Sequence, residues 1–267
     1  MQRLKKAIRT SPVLGSFYRS AHKFRAALRR VKEKGAYMIW SYVVLEEKKV
    51  IYLVMQKAAC TSIMASMTQT ESTASYLDVN QTVRNTGLVL DDFDPTAYQG
   101  YYVFTFVRNP FERLISCYEN KYHTDKELRA ARKSEMKYDS YLMGYLKKDR
   151  GFRSFASRVC RIPDRLADQH FVSQSFLIDR MGKNPKPDFV GHYENLSAEY
   201  EPIRAKYGFM PLPHHNKTPK ASSWMDYYDL STARKVYHRY RTDIERYGYR
   251  ETYDKLIAHL QSKGVQA

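Results

Sequence analysis

The fold of this chain is decided by the stretch VIYLVMQKAACTSIMASM, residues 50–67. It begins with apolar and β-branched residues, breaks at Gln56-Lys57, and continues with small and hydroxylic residues before an apolar helical pattern starts at Ile63. A strand, a tight loop and a helix in this order form an anion site, because the first N–H groups of the helix lack intrahelical partners and the helix dipole favours negative charge. The lysine at the strand exit and the hydroxyls that follow it suit a phosphate or sulfate group.

The loop differs from the Walker A motif of nucleotide-binding proteins. The pattern G-x-x-x-x-G-K-[ST] is absent, and Lys57 precedes the hydroxyls of Thr61 and Ser62 instead of adjoining them. This spacing, together with the lack of a clear carboxylate for Mg²⁺, disfavours a small-molecule kinase. An ordinary strand-to-helix turn with an exposed lysine is the structural alternative.

A second strand-to-helix junction lies in FVRNPFERLISCY, which begins at Phe106. The run at 101–107 is continuously apolar, which is typical of a strand buried on both faces. Asn109-Pro110 then starts a helix, with Asn as N-cap and Pro as first helical residue. Arg108 stands between the two elements and is a charge-assisted donor suited to phosphate. A salt bridge to Glu112 is the structural alternative.

Strand-like and helical patterns alternate along most of the chain, which predicts an α/β fold with a mostly parallel sheet covered on both faces. The strand-like segments are 37–45, 50–55, 101–107 and 189–190, and the helical ones are 63–70, 110–118, 198–207 and a last helix from Ser231. The segment 71–100 is polar and is expected to be irregular, while 124–167 is charged and helical in character.

The chain has 267 residues, a net charge of +17 and a pI of about 9.6, so it requires an anionic partner. Residues 1–35 carry eleven lysines and arginines against one acid, Glu33. We therefore divide the chain into a basic helical extension, 1–35, and one domain, 36–267. For the extension, a solvated arm and a peripheral contact with anionic lipid or an anionic glycan are both open. Nucleic-acid binding is less favoured, because no RRM, KH or helix-turn-helix signature is present.

Three cysteines, Cys60, Cys117 and Cys160, are an odd number without regular spacing. They predict neither a disulfide framework nor a zinc site, so no metal is expected and a reducing compartment is the simplest setting. A secretory signal is not apparent, and no apolar segment reaches the roughly 20 residues of a membrane span. These observations predict a soluble cytoplasmic protein.

Together the two junctions resemble those of carbohydrate sulfotransferases of the chondroitin 4-O and HNK-1 type, sulfotransferase family 2. VMQKAACTSI is similar to their 5′-phosphosulfate loop, where Pro-Lys-x-x-Cys-Thr is usual. FVRNPFERLISCYENKY is similar to their 3′-phosphate loop, with an Arg and a Ser eight residues later. The resemblance spans roughly 48–250 and continues in DQHFVSQ (168–174), DFVGHYENL (188–196), and a Tyr-x-x-Asp-x-x-x-x-Gly-Tyr pattern at Tyr240, Asp243, Gly248 and Tyr249.

This resemblance implies a P-loop NTPase-like three-layer fold and the donor 3′-phosphoadenosine 5′-phosphosulfate (PAPS). It also implies sulfuryl transfer to a hydroxyl of a carbohydrate or glycolipid. Lys57 would meet the leaving phosphate, while the hydroxyls and N–H groups of the following loop would cradle the 5′-phosphosulfate. Arg108 and Ser116 would bind the 3′-phosphate. The full set of implied donor-binding residues is Lys57, Ala59, Cys60, Thr61, Ser62, Arg108, Ser116 and Lys217.

The sequence departs from the family pattern at two places. Gln56 replaces the usual proline at the loop entrance, and Phe171 and Ser173 replace the usual Trp and Pro around His170. We favour His170 as general base from its place in the Asp-x-His segment, with a structural bond to Asp168 as the alternative. The other candidates for the base are His123, His192, His214, His215, Glu71 and Asp94.

Two further expectations concern neighbouring residues. Cys60 is expected to fill the turn as a packing residue, since direct transfer needs no nucleophile. His192 is expected to fix the fold through Glu194.

The resemblance implies an acceptor but does not name it. The related Golgi enzymes carry a membrane anchor, and no such segment is apparent in this sequence. We therefore expect a bacterial enzyme that sulfates a surface glycan or its precursor, in the cytoplasm or at the inner face of the membrane. A basic nucleic-acid- or membrane-binding module and a catalytically inactive sulfotransferase-like protein are the alternatives. The acceptor position and the oligomeric state do not follow from the residues.

Overall fold

A computed structural model of the chain describes residues 25, 28–29, 31–33, 41–70, 88–90, 95–122, 145–146, 151–180, 186–213 and 223–264. Most of the basic extension, 1–35, lies outside these residues, although 31–33 are helical. In the described ranges, no helix is long and apolar enough to cross a membrane.

A five-stranded sheet forms the centre of the domain. Its order is β3-β1-β2-β4-β5, with β2, β4 and β5 pairing in parallel and β1 antiparallel to both neighbours. Four strands therefore point the same way, and the predicted mostly parallel sheet is confirmed. The strands are β1 (Tyr42–Leu45), β2 (Val50–Leu53), β3 (Val89–Leu90), β4 (Tyr102–Val107) and β5 (Phe189–His192).

Helices cover both faces of this sheet. Alternate strand residues point to opposite faces, and each face forms its own hydrophobic core with the helices that pack on it. Ile51 and Leu53 belong to one core and Val50 and Tyr52 to the other. The helices are α1 (Cys60–Met67), α2 (Pro110–Cys117), α3 (Phe152–Val159), α4 (Gln174–Arg180), α5 (Leu196–Tyr207), α6 (Leu230–Arg239), α7 (Arg241–Arg246) and α8 (Arg250–Gly264). Helices α1 and α5 pack on the Val50 face, and the others on the Ile51 face. The α/β class and its three layers are confirmed.

The second core is aromatic and tightly packed where β4 meets β5. Phe106 packs edge-on against Phe189, with ring centroids 5.8 Å apart, and the same ring lies 6.0 Å from Tyr200. A Cβ built at Gly191 would lie 2.4 Å from the Phe106 ring. Only glycine leaves room there for the two rings, so this residue allows β5 to lie close beside β4.

The loop-to-helix boundary after β2 differs from the prediction. The helix was expected from Ile63, but α1 begins at Cys60. The reason is that Ala59 adopts the left-handed conformation, with φ 59°, and ends the loop there. The small residues that read as loop are already the first turn of the helix.

Two other segments also differ from the predictions. The region 71–100 was expected to be irregular, yet β3 pairs with β1 within it and is too short, at two residues, to leave a pattern. The last helix was expected to run on from Ser231, but it breaks at Tyr240, whose φ of −111° is not helical, so that α7 follows as a separate short helix before α8. The hydroxyl of Tyr240 donates to the Phe171 carbonyl, 2.5 Å away, so tertiary contacts fix this break.

Candidate functional site

The loop between β2 and α1 has an unusual backbone. Lys57 and Ala59 both have positive φ angles, 71° and 59°, although neither is glycine. Such conformations cost about 1 kcal/mol or more and cluster at ligand sites. The first hydrogen bond of α1 runs from Ile63 N–H to Ala59 O, so the N–H groups of the preceding turn lie ahead of the helical ladder. The first turn carries no acidic residue, which suits an anion.

The side chains of this loop are packed closely. Cys60, Thr61 and Ser62 are buried, whereas Lys57 is half-buried. The thiol of Cys60 lies 3.3 Å from Oε1 of Gln56, which stands where the family usually has proline. Burial raises the pKa of this thiol and outweighs the opposing charge of Lys57. A protonated, buried thiol favours the packing role that the sequence suggested.

Arg108 brings the second predicted loop against the first. It follows the last residue of β4, and its Nη1 donates to the main-chain carbonyl of Lys57, 3.3 Å away. Nη2 meets Glu112 at 3.4 Å, and the guanidinium lies 4.2 Å from the Tyr193 ring centroid. The side chain is 11% exposed. Its Nε is buried and has no hydrogen-bond partner in the part of the chain that the structure describes.

Helix α2 starts as the sequence predicts. The Asn109 side chain caps it by accepting from the N–H of Phe111 at 3.0 Å, and Pro110 is its first residue. Ser116 lies two turns along α2 and is half-buried. The predicted salt bridge between Arg108 and Glu112 is therefore present alongside the contact with the first loop, and the two interpretations of Arg108 are compatible.

Arg113 has a structural role that the sequence did not show. It is 2% exposed and donates to three main-chain carbonyls, those of Gln56, Gln169 and Val172, at 3.0, 3.1 and 2.6 Å. These bonds join the first loop to the segment 168–174. Nothing local in the sequence separates this buried arginine from a surface arginine, because its partners are carbonyl groups, which every residue carries.

His170 lies in the buried segment 168–174. Its ring is 2% exposed, and its Nδ1 lies 2.5 Å from Oδ1 of Asp168, which also accepts the His170 main-chain N–H at 2.9 Å. These are the contacts of the structural alternative. A general base must come within about 2.6–3.2 Å of the proton it removes. The catalytic role of His170 therefore stays a prediction.

The same segment ends in Gln174, a residue to which the sequence gave no role. Gln174 is fully buried, and its amide pairs with the main chain of Arg108 in both directions, at 2.9 and 2.8 Å. The fully buried carboxylate of Asp243 accepts the N–H groups of Gln174 and Ser175, each at 2.8 Å. Burial raises the pKa of Asp243, although the N–H groups that it accepts oppose this shift. The Tyr-x-x-Asp part of the last motif thus holds the start of α4.

The segment 188–196 supports the other side of Arg108. One oxygen of Glu194 accepts the N–H of Asn109 at 2.8 Å, and the other accepts the Tyr249 hydroxyl at 2.9 Å. Glu194 and Tyr249 also line a cleft of about 760 Å³, the size of a small-molecule pocket. The cleft is lined by residues of 190–195 and 246–252, and Glu194 connects it to the main chain of Asn109.

The expected pairing of His192 with Glu194 is wrong. His192 instead pairs through its main-chain N–H with Glu199, at 2.7 Å, and its ring Nε2 lies 3.2 Å from the Tyr247 carbonyl. Glu194 is unavailable because it binds Asn109 and Tyr249. Several acidic residues that follow the strand lie within reach of its last residue, His192. The sequence alone does not show which of them becomes its partner.

All five sequence motifs therefore meet around Arg108 and the loop of Lys57. Hydrogen bonds link the segment 108–116 to 56–62, to 168–174 and to 188–196. The segment 240–249 is bonded to 168–174 and to 188–196. A model of the sulfotransferase family matches residues 40–250, which is most of the chain. The chain belongs to the sulfotransferase family. Its family motifs form one connected hydrogen-bonded site in space.

Three relatives of this sulfotransferase show where it stands in the family. Carbohydrate sulfotransferase 14 of Danio rerio is 23% identical over 232 residues, 78% of this chain and 61% of that protein. The Homo sapiens protein of the same name is 26% identical over 193 residues, 68% of this chain and 50% of that protein. Carbohydrate sulfotransferase 11 of Mus musculus is 23% identical over 244 residues, which are 78% of this chain and 66% of that protein. The chain thus spans half to two thirds of the length of these relatives, and no solved structure matches it comparably.

These comparisons confirm the resemblance read from the sequence. Sulfotransferases generally use PAPS as donor, and the described residues fit its anionic groups. The first turn of α1 has no acidic residue, Lys57 adds a positive charge, and the buried Nε of Arg108 has no hydrogen-bond partner among the described residues. Among the described residues, no cluster of His, Cys, Asp and Glu could hold a metal ion.

Some predicted residues lie outside the part of the chain that the structure describes. Lys217, expected at the 3′-phosphate, is one of them. The others are the alternative bases His123, His214, His215, Glu71 and Asp94. Their roles stay predictions.

Proposed function

We propose that this chain is a PAPS-dependent carbohydrate O-sulfotransferase, which transfers a sulfuryl group from PAPS to a hydroxyl of a carbohydrate or glycolipid. The observation that carries the proposal is the contact between Arg108 and the Lys57 carbonyl, which brings two anion loops into one site. PAPS carries two separate anionic groups, at its 5′ and 3′ positions, and so suits a site of this kind. The carbohydrate acceptor is suggested by the names of the three relatives.

Each of the two loops, 56–62 and 108–116, would bind a different anionic group of the donor. The N–H groups of Ala59, Cys60, Thr61 and Ser62 and the hydroxyls of the last two would hold the 5′-phosphosulfate, because they precede the hydrogen-bonded ladder of α1. Arg108 and Ser116 would hold the 3′-phosphate, with Lys217 as a further contact. The charge-assisted fork of Arg108 suits a phosphate dianion better than a neutral hydroxyl.

The chemistry asks mainly for position and charge. PAPS, when bound, supplies an activated sulfuryl group on a phosphate leaving group. Transfer of such a group spreads negative charge over its oxygens, so preorganised cations and N–H donors supply most of the rate enhancement. Lys57 would place a positive charge beside the leaving phosphate. No side-chain nucleophile is needed, which agrees with the buried, protonated thiol of Cys60.

The acceptor hydroxyl must lose a proton, and we propose His170 as the base. The contact between Nδ1 and Asp168 supports Nε2 as the nitrogen that would take the proton, because a carboxylate at Nδ1 favours the tautomer with its proton there. The ring is 2% exposed, so acceptor binding must give the substrate access to it. Base catalysis of this kind is typically worth about 10²–10⁴-fold.

We further propose a bacterial surface glycan or its precursor as acceptor, sulfated in the cytoplasm at the inner membrane. The basic residues of 1–35 support a peripheral contact with anionic lipid, because such contacts gain about 1 kcal/mol per basic residue near the surface.

Two measurements test the function. The first is transfer of radiolabelled sulfate from PAPS to a panel of oligosaccharides, with 3′-phosphoadenosine 5′-phosphate (PAP) measured as product. The second is a structure with PAP bound, which should place its phosphates at Lys57 and Arg108. PAP bound away from both residues, or unchanged PAP affinity in both Lys57→Ala and Arg108→Ala, would show that the site is assigned wrongly.

A further inference from the structure

The main chain of Arg108 is held by a side chain 66 residues away. Strand β4 ends at Val107, so Arg108 lies just beyond the last paired residues of the described sheet. The amide of Gln174 pairs with its main chain there: Oε1 accepts the N–H at 2.9 Å, and Nε2 donates to the C=O at 2.8 Å. One amide that satisfies both main-chain groups of a residue fixes that residue more narrowly than a single bond can.

Gln174 is itself held rigidly. It is fully buried as the first residue of α4, and its N–H donates to Oδ2 of Asp243 at 2.8 Å. The second oxygen of Asp243 accepts the N–H of Ser175, also at 2.8 Å. Asp243 is likewise fully buried, so the three residues form a connected path from α7 to the end of β4.

The guanidinium of Arg108 has little freedom of its own. Nη1 and Nη2 face the Lys57 carbonyl and Glu112, and Tyr193 covers one face. The buried Nε has no partner within the described residues. A small shift of the main chain would therefore change where the other N–H donors of the guanidinium point, and a charge-assisted hydrogen bond weakens steeply with poor geometry.

We propose that Gln174 is a positioning residue which acts through Arg108 to make the site select donors that carry a 3′-phosphate. The inference rests on the proposed function, since it concerns the 3′-phosphate contact of the same site. Gln174 does not touch the donor; it fixes the residue that does. Asp243 holds Gln174 and therefore acts on the position of Arg108 indirectly.

The test compares two nucleotides that differ only in the 3′-phosphate. Isothermal titration calorimetry on the full chain gives the dissociation constants of PAP and of adenosine 5′-monophosphate (5′-AMP). Gln174→Met keeps the length of the side chain and removes both hydrogen bonds. We expect it to weaken the binding of PAP about tenfold and that of 5′-AMP by less than about twofold, because only PAP has the phosphate whose binding depends on the orientation of Arg108.

A double-mutant cycle separates positioning from stability. In an Arg108→Lys background the fork is already lost, so adding Gln174→Met should leave the ratio of the two dissociation constants unchanged. The matched control is Gln169→Met, which lies in the same segment and keeps its main-chain carbonyl. It should leave both affinities as in the wild type.

Two results would overturn the inference. One is an equal loss of affinity for PAP and 5′-AMP in Gln174→Met, which leaves the ratio of their dissociation constants unchanged. The other is a change of this ratio when Gln174→Met is added to Arg108→Lys. Should Gln174→Met fail to fold, Gln174→Glu, which keeps the oxygen that accepts from Arg108, replaces it. Failure of both to fold assigns Gln174 to stability alone. A wild type that does not prefer PAP over 5′-AMP contradicts instead the proposed 3′-phosphate site, and the inference with it.

Discussion

The guanidinium of Arg108 donates a hydrogen bond to the main-chain carbonyl of Lys57, with Nη1 3.3 Å from the oxygen. This bond joins the end of β4 to the strained turn after β2. The acceptor is a carbonyl, so the contact holds the loop in place without neutralising either positive charge. The contact therefore fixes the Lys57 loop relative to the Arg108 guanidinium, which also pairs with Glu112 at 3.4 Å.

Removing the charge of Lys57 should slow turnover more than it weakens binding. Lys57→Met keeps the side-chain length, and we expect kcat to fall about 10²–10³-fold, the range for losing one preorganised donor to developing charge. PAP release from PAPS in the presence of acceptor measures this. Lys235→Ala, an exposed lysine on α6, is the control and should keep wild-type turnover. Equal turnover in Lys57→Met and the wild type would remove Lys57 from the mechanism.

Replacing Arg108 by lysine should weaken PAP selectively. Lysine keeps the charge but not the planar fork, so we expect the dissociation constant of PAP to rise about tenfold or more, with a smaller change for 5′-AMP. Calorimetry measures both. Arg204→Lys changes an arginine of the same kind in the ion pair with Glu201 on α5, and it should have no effect. A PAP affinity that survives Arg108→Lys would place the 3′-phosphate elsewhere.

Adding one methyl group at Gly191 should destabilise the sheet. The new Cβ would lie 2.4 Å from the Phe106 ring and 2.7 Å from that of Phe189. Overpacking of this kind costs about 1–3 kcal/mol, which urea unfolding can measure. Gly151→Ala, where a Cβ meets nothing within 4 Å, should cost less than about 1 kcal/mol, which is the loss expected from alanine at the N-cap of α3. Equal stability of the two variants would mean that β4 and β5 are not this close.

The thiol of Cys60 should react slowly in the folded protein. Burial raises its pKa, so at neutral pH less of it is thiolate than in the unfolded chain, and only the thiolate is the nucleophile. We expect slow alkylation by iodoacetamide near pH 7.5, with a rate that keeps rising with pH beyond the usual range of a cysteine. Mass spectrometry follows the reaction, and the urea-unfolded chain is the reference. Rapid alkylation of native Cys60 would revive a nucleophilic role.

The parts of the site that the sequence predicts are those encoded by neighbouring residues. The apolar run before Arg108, the Asn109-Pro110 start of α2, and the small residues after Lys57 each carry their own local signal. Even there, the conformation of Ala59 moved the start of α1 by three residues.

The parts that the sequence did not predict depend on partners far along the chain. Gln174 pairs with the main chain of Arg108, and Arg113 pairs with three carbonyls. Main-chain groups are identical at every residue, so no residue type marks them as partners. The acid that pairs with His192 was misassigned for a similar reason, because Glu194 and Glu199 are both within reach of a strand end.

The rigid support of Arg108 has a consequence for the end of the reaction cycle. The 3′-phosphate is the same group in the donor and in the spent nucleotide, so in the proposed site a fixed Arg108 would hold both equally well. Binding that is equal before and after transfer does not speed the chemical step. The interactions that would make the proposed site selective would therefore also slow the release of PAP, and we expect this release to limit turnover.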